Sequence, residues 1–237
     1  MSARVALVTG ASRGIGAAIV ERFHEGGFAV AALARSRVES PHAAEGYLCD
    51  VSDAAAVAET VRAVVARFGR IDVLVNNAGL AGPNSLDPEA DDALWHQILA
   101  VNLNGTYLLC KHVLPHLPDG SGRIINIASV LGLKGVPDQT AYVAAKHGVI
   151  GFTRALALHA APRRITVNAI CPGWTRTAMA EGRMRDLNLD EAALAKSVPL
   201  GRMIEPREVA SLAFTLAGED SAGITGQAIV IDGGALL

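Results

Sequence analysis

Residues 5–16 run VALVTGASRGIG, from Val5 to Gly16, and this stretch decides the fold. The apolar run Val5–Val8 suits a short buried strand, and Gly10, Gly14 and Gly16 lead from it into a helix over Gly14–Glu25. A strand, a glycine turn and a helix N-terminus in that order let the backbone approach a pyrophosphate and aim unpaired amides at its charge. The glycine spacing is GxxxGxG rather than the GxGxxG of the usual dinucleotide fingerprint, so placement after the first strand carries the reading.

Outward from this unit the same alternation recurs to the end of the chain. Strands are expected at Val5–Val8, Ala29–Ala34, Ile71–Val75, Arg123–Ala128, Thr166–Ile170 and Ala228–Ile231, with a weaker one at Tyr47–Cys49. Helices are expected at Gly14–Glu25, Asp53–Phe68, Asp91–Leu117, Gln139–Ala161 and Pro206–Ala217. The strands are continuous apolar runs, which implies burial on both faces and a parallel sheet. The expectation is an α/β protein: a doubly wound, Rossmann-type three-layer sandwich with a central parallel sheet of about seven strands. No linker, repeat or low-complexity tract divides residues 1–237, so a single domain is expected. Residues 175–197 break the rhythm, being Met-rich, charged and weakly helical, and are read as a lid over a site.

Bulk properties narrow the function. The 237 residues are 51% hydrophobic and carry a net charge of −2, with Lys and Arg scattered, so nucleic acid is an unsuited partner. Apolar runs such as Phe28–Ala34 fall far short of the roughly 20 residues that cross a bilayer. The start of the chain enters a strand at once, with no basic-plus-apolar export signal, which suggests a cytoplasmic protein. Cys49, Cys110 and Cys171 are widely spaced and suit buried packing better than a disulfide or zinc site.

The second strand ends in Ala34 followed by Arg35 and Arg37, and the first acid is Glu39. An acid near this point bonds the ribose 2′-hydroxyl of NAD, whereas arginine suits a 2′-phosphate. With Arg13 in the glycine turn, the adenosine end is cationic, and NADP(H) is the expected cofactor. Further on, Tyr142 and Lys146 are four residues apart on an expected helix and so share one face. Alone this pair is weak, because tyrosines often pack with the hydroxyl at a surface and lysines often snorkel.

The motifs taken together resemble the short-chain dehydrogenase/reductase family of the single-domain type, from Arg4 to Gly234. They are TGASRGIG at Thr9–Gly16, CDVSD at Cys49–Asp53, NNAG at Asn76–Gly79, VNLNGTY at Val101–Tyr107, INIAS at Ile125–Ser129, the Tyr142–Lys146 pair, and NAICPGWTRT at Asn168–Thr177. The resemblance implies a catalytic tetrad of Asn102, Ser129, Tyr142 and Lys146. It implies cofactor contacts from Gly10, Ser12, Arg13, Gly14, Ile15 and Gly16 in the turn, and from Arg35 beyond the second strand. Asp50 would bond the adenine amino group with Val51 beside the ring. Asn76 and Gly79 would lie along the ribose and stabilise the central strand, and Ala78, Tyr142 and Lys146 would also touch the cofactor. Pro172, Gly173, Thr175 and Thr177 would hold the nicotinamide end. Asn77, Asn104 and Asn168 are equally readable as bridges between strands or turns.

Chemistry gives each tetrad member a part. A phenol titrates near pH 10, and a cation within about 4–6 Å moves it towards neutrality, so Lys146 is expected to lower the pKa of Tyr142. Ser129 would hydrogen-bond the substrate oxygen, and Asn102 would hold a water through which Lys146 regains its proton. No metal is required. His112 and His116 lack a third ligand and flank Pro115, His147 should point off the catalytic face, and Ser129 lacks the glycines of a hydrolase elbow.

Between Arg35 and Asp50 the chain is too short for the usual helix, and Pro41 and Gly46 indicate a loop. Some family members that reduce 3-oxoacyl thioesters show a similar shortening, and with TGASRGIG and the terminal VIDGG this makes a 3-oxoacyl reductase the nearest likeness, on CoA or an acyl carrier. A hydrophobic cyclic or aryl ketone, a secondary alcohol or a sugar remains open as substrate, and a cofactor-binding regulator without turnover is disfavoured by the filled tetrad. Trp174, Met179 and Met184, with Leu187 and Leu189, offer apolar substrate contacts; Arg176, Arg183 and Arg185 would meet a phosphopantetheine or carboxylate, or form a solvated helix face. The resemblance also implies a homotetramer built on the helices Asp91–Leu117 and Gln139–Ala161. The 2′-phosphate reading has a direct test: Arg35→Asp should weaken NADPH binding much more than NADH binding, and equal losses in titrations would overturn it.

Overall fold

All five residues of β1 (Val5–Thr9) are buried, as a strand covered on both faces requires. The computed structural model describes residues 3–237. It pairs β1 in parallel with β2 (Ala29–Ala34) on one side and β4 (Val73–Asn76) on the other. With β3 (Glu45–Leu48), β5 (Arg123–Ile127), β6 (Thr166–Pro172) and β7 (Ala228–Ile231) they form a seven-stranded sheet in the order β3-β2-β1-β4-β5-β6-β7. Every pairing is parallel. The order reverses between β1 and β4, which opens a crevice beyond the carboxyl ends of those two strands.

Helices cover both faces, and alternate residues of one strand serve opposite layers. Ala6 and Val8 face a core of Ile19, Phe23, Val209 and Ala213, from α1 (Gly14–Glu25) and α8 (Pro206–Leu216). Leu7 faces the other way, onto Val57, Val61, Leu109 and Val113 of α2 (Ala54–Phe68) and α4 (Gly105–Val113). The α2 boundary follows from its caps: the Asp53 carboxylate accepts from Ala55 N and Ala56 N, and Gly69 closes the far end at φ 74°.

Two expectations need correction. The helix expected over Asp91–Leu117 is broken into α3 (Ala93–Leu99), a π turn at Ala100–Asn104, α4 and a 3₁₀ turn at Leu114–His116. The cause is tertiary: Gly105 sits so close to the loop after β3 that a Cβ there would lie 2.8 Å from Val51 Cγ2, and Asn102 is drawn onto the backbone of Leu80. Residues 175–197 are also more regular than their sequence suggests, forming α6 (Ala178–Asp186) and α7 (Glu191–Lys196). Thr177 and Asp190 cap them by accepting from Ala180 N and Ala193 N. The connection from β2 to β3 is a loop that contains Pro41, as expected, whereas Gly46 lies inside β3, paired with Ala32.

A buried polar chain crosses the middle of the sheet. Asn76 Nδ2 on β4 donates to Asn126 Oδ1 on β5 at 2.9 Å, and Asn126 Nδ2 donates to Thr153 Oγ1 on α5 (Thr140–Ala160) at 2.9 Å. These bonds fix the depth of α5 against β4 and β5, because sliding any element would strand buried amides. The tightest steric constraint in the glycine turn is at Gly16, where a Cβ would sit 2.1 Å from Gly10 O. Gly16→Ala should therefore lower stability by about 1–3 kcal/mol, as overpacking does; a thermal midpoint unchanged from the parent would contradict this.

Candidate active site

The crevice floor is the glycine turn. Gly10 and Gly14 have φ 64° and 57°, a region that side chains disfavour. A Cβ on Gly10 would lie 2.8 Å from Ala78 Cα, and one on Gly14 would lie 3.2 Å from Thr177 Cγ2. Asn77 locks this approach: its Nδ2 donates to Thr9 O at 2.9 Å and Gly10 O at 3.1 Å. Thr9 Oγ1 accepts from Asn77 N and Ala78 N at 3.0 and 2.9 Å. Arg13 occupies the N-cap position of α1 without a side-chain cap bond, so the first amides of α1 face the crevice unclaimed by a cap. Glycines that a methyl would crowd and an uncapped helix start are what a bound pyrophosphate needs. Ser12 and Arg13 are exposed beside them, while Ile15 packs into the core.

At the end of β2, Arg35 and Arg37 are exposed, and among the described residues neither they nor Arg13 is in an ion pair. The Asp50 carboxyl is held below its usual range by the Ser52 hydroxyl, then the Ser52 amide, with a smaller contribution from Arg35. Ser52 N and Oγ donate to Asp50 Oδ1 at 2.9 and 2.6 Å, so part of this carboxylate is engaged in a local turn.

Ser129, Tyr142 and Lys146 converge beyond β5. Ser129 follows β5 by two residues, and its hydroxyl accepts from Leu131 N at 3.0 Å. Lys146 is buried, donates to Ile127 O at 2.8 Å, and has its Nζ 5.5 Å from the centre of the Tyr142 ring. A Cβ on Gly79 would lie 3.0 Å from Asn102 Oδ1 and 3.7 Å from Lys146 Nζ, so the absence of a side chain there keeps the space before Lys146 open. Burial raises the Tyr142 phenol above its ordinary value, opposed by Ser129, and lowers Lys146 to about 8. Desolvation is the larger of the two influences on the phenol, and the Lys146 ammonium donates to Ile127 O. Cys171, close to Lys146, is pushed up to about 11 by burial and is no thiolate near neutral pH.

Other expected residues are turned to different roles. Asn76 is buried and bonded to Asn126 and Cys110 rather than facing the crevice, so its side chain ties the sheet; Asn77 is the one beside the glycine turn. Val51 is buried against Gly105. The Asn102 amide exchanges two bonds with Leu80, accepting from its N at 2.9 Å and donating to its O at 2.8 Å, which pins the chain after β4. Pro172 ends β6 and Gly173 N donates to Ile231 O. Thr175 Oγ1 donates to Gly173 O, and Thr177 Oγ1 donates to Thr175 O while capping α6.

Trp174 and Met184 pack with Ala180, Leu194 and Met203 in a small core, which leaves Met179, Leu187 and Leu189 as the exposed members of the expected apolar set. Arg176 is held by Glu191 and Glu205, and Arg183 by Asp138; Arg185 has no ion pair among the described residues. Thr9 is a site-shaping residue that sequence reasoning passed over, although its place directly before Gly10 was the available signal. Asn168 bridges strands, one of the two roles open to it: it donates to Ile224 O and accepts from Gln227 N. His147 is exposed and bonded to Val143 O.

The chain is similar to proteins of named kinds. A family model described as enoyl-(acyl carrier protein) reductase matches residues 10–235. A putative ketoacyl reductase of Streptomyces coelicolor is 40% identical, over 97% of this chain and 96% of its own length. The 3-oxoacyl-[acyl-carrier-protein] reductase FabG of Vibrio harveyi is also 40% identical, over 99% of this chain and 98% of its own. Among solved structures, a single-residue variant of the actinorhodin polyketide ketoreductase with NADPH superposes with a TM-score of 0.91 and 39% identity, covering 99% of both chains. The chain belongs to the short-chain dehydrogenase/reductase family.

The depressed lysine gives a pH prediction with a defined sign. The Lys146 ammonium is retained below about 8 and lost as the pH rises through that value. If that charge serves the reaction, kcat/KM for carbonyl reduction falls on the alkaline side of about pH 8, and Lys146→Met removes that limb together with most activity; a flat profile to pH 10 in the parent would contradict it.

Proposed function

We propose that this enzyme reduces the ketone of a 3-oxoacyl thioester to a secondary alcohol, with NADPH as its cofactor. The observation that carries the reading is the convergence of Ser129, Tyr142 and Lys146 beside the side-chain-free Gly79, at the reversal of strand order. The named relatives support the thioester, and the NADPH-bound neighbour supports the cofactor.

In this reading Gly10, Gly14 and Gly16 let the α1 amides meet the pyrophosphate, while the exposed Arg13 and Arg35 neutralise a 2′-phosphate. The bound cofactor supplies a hydride to the carbonyl carbon. Ser129 holds the substrate oxygen by a hydrogen bond, and Tyr142 delivers the proton to it. Burial keeps that phenol protonated through the neutral range, which suits an acid. Lys146 supplies the nearby positive charge that favours release of the phenolic proton and then helps restore it. Asn102 acts through Leu80, fixing the segment that bears Gly79 beside the reacting groups. The α6–α7 segment serves as the lid, with Met179 facing the substrate and Arg185 the cation left to meet a phosphate or carboxylate. A homotetramer and a cytoplasmic location complete the reading; the outward Tyr107 and Leu158, 47% and 79% exposed, give α4 and α5 apolar surface for subunit contact.

Tyr142→Phe should lower kcat at least about a hundredfold, the typical loss for a general acid, with NADPH affinity nearly unchanged. The substrate is tested by NADPH oxidation with acetoacetyl-CoA, a hydrophobic cyclic ketone and a sugar. Fastest turnover of the thioester supports the proposal; preference for either alternative keeps the mechanism and overturns the substrate.

A further inference from the structure

Tyr142 lies in the first turn of α5, which begins at Thr140. First turns fray unless their orphan amides find acceptors, and a frayed first turn would carry the phenol away from Ser129. Gln139, in the N-cap position, makes no side-chain cap bond. The cap comes instead from a distant loop: Ala141 N donates to Asn84 Oδ1 at 3.0 Å, and Asn84 Nδ2 donates to Thr140 Oγ1 at 2.7 Å.

The same loop is tied to the α6–α7 segment. Asn84 N donates to the Asp138 carbonyl at 3.0 Å. The Asp138 carboxylate meets Arg183 Nη2 of α6 at 2.9 and 2.7 Å through its two oxygens. Asn84, Asp138 and Arg183 thus join the loop after β4, the entry to α5 and the α6–α7 segment. We infer that Asn84 is a positioning residue for Tyr142, capping its helix from outside, and that the Asp138–Arg183 pair couples seating of the phenol to closure of the α6–α7 segment. This rests on the proposed role of Tyr142 as the proton donor. A partly exposed ion pair is weak enough to open and reform within a catalytic cycle, which a latch requires, whereas the cap bonds must persist.

The test uses the full-length protein. In Asn84→Ala, amide exchange at Ala141, Tyr142 and Val143 should quicken about tenfold, and kcat should fall by a similar factor with the KM for NADPH unchanged. Asn84→Asp, which keeps an acceptor for Ala141 N, should restore both to within about threefold. Unchanged exchange in Asn84→Ala, or an aspartate variant as impaired as the alanine, would overturn the capping role. Should Asn84→Ala not fold, Asn84→Ser and Asn84→Val decide the point, the serine keeping an oxygen acceptor and the valine not; equal exchange rates overturn it. For the coupling, Asp138→Asn and Arg183→Met should each raise the ketone KM about threefold and quicken exchange across 178–186, with the charge-swapped pair Asp138→Arg and Arg183→Asp recovering most of the loss. Absence of any change in the single variants overturns the coupling. The exchange readout separates failures: if Tyr142→Phe stays active, the catalytic reading is lost while the cap is judged on exchange alone.

Discussion

The structure depends on how closely the chain approaches itself where β1 and β4 part. Gly16 must sit against Gly10 O with no room for a methyl, and Gly10 must sit against Ala78. Thr9 and Asn77 hold that approach by four hydrogen bonds between the two strand ends. The amides at the start of α1 and the segment leading to Gly79 are thereby set on opposite walls of one crevice. Side chains at these glycines would push the walls apart before any ligand could use the helix start.

The second wall is positioned from below and from above. The Asn76–Asn126–Thr153 chain sets the depth of α5 within the sheet, with bonds that are costly to break because all three residues are buried. At the other end, the loop after β4 is held twice, by Asn102 through Leu80 and by Asn84 at the first turn of α5. The π turn at Ala100–Asn104 belongs to this arrangement, since it lets Asn102 reach Leu80 while the helix continues beyond it. Catalytic geometry here is the product of buried amide bonding more than of apolar packing.

Electrostatics follows from the same burial. Desolvation raises the phenol, which keeps it a proton donor near neutral pH, and lowers the ammonium to about 8, which brings the loss of its charge close to the neutral range. Two pairs of arginines differ in their surroundings. Arg176 and Arg183 are neutralised by carboxylates and secure α6, while among the described residues Arg13 in the glycine turn and Arg35 beyond β2 remain without ion partners.

Much of this was legible in the chain itself. Continuous apolar strands and the glycine turn after β1 determine the parallel doubly wound sheet, because local periodicity and backbone freedom act over a few residues. The missing helix between β2 and β3 follows from Pro41 and the short span. The pairing of Tyr142 with Lys146 follows from helical spacing. Tertiary structure alone decided the break in the helix around Asn102, the inward turn of Asn76 and Val51, the pairing of Trp174 with Met184 inside the α6–α7 segment, and the capping of α5 by Asn84. Each of these depends on a partner 22 or more residues away for the polar bonds of Asn102, Asn76 and Asn84, or on which face packs against which helix. No local pattern encodes such a choice, because it is made by the competition of buried polar groups for the few partners that the assembled layers bring within reach.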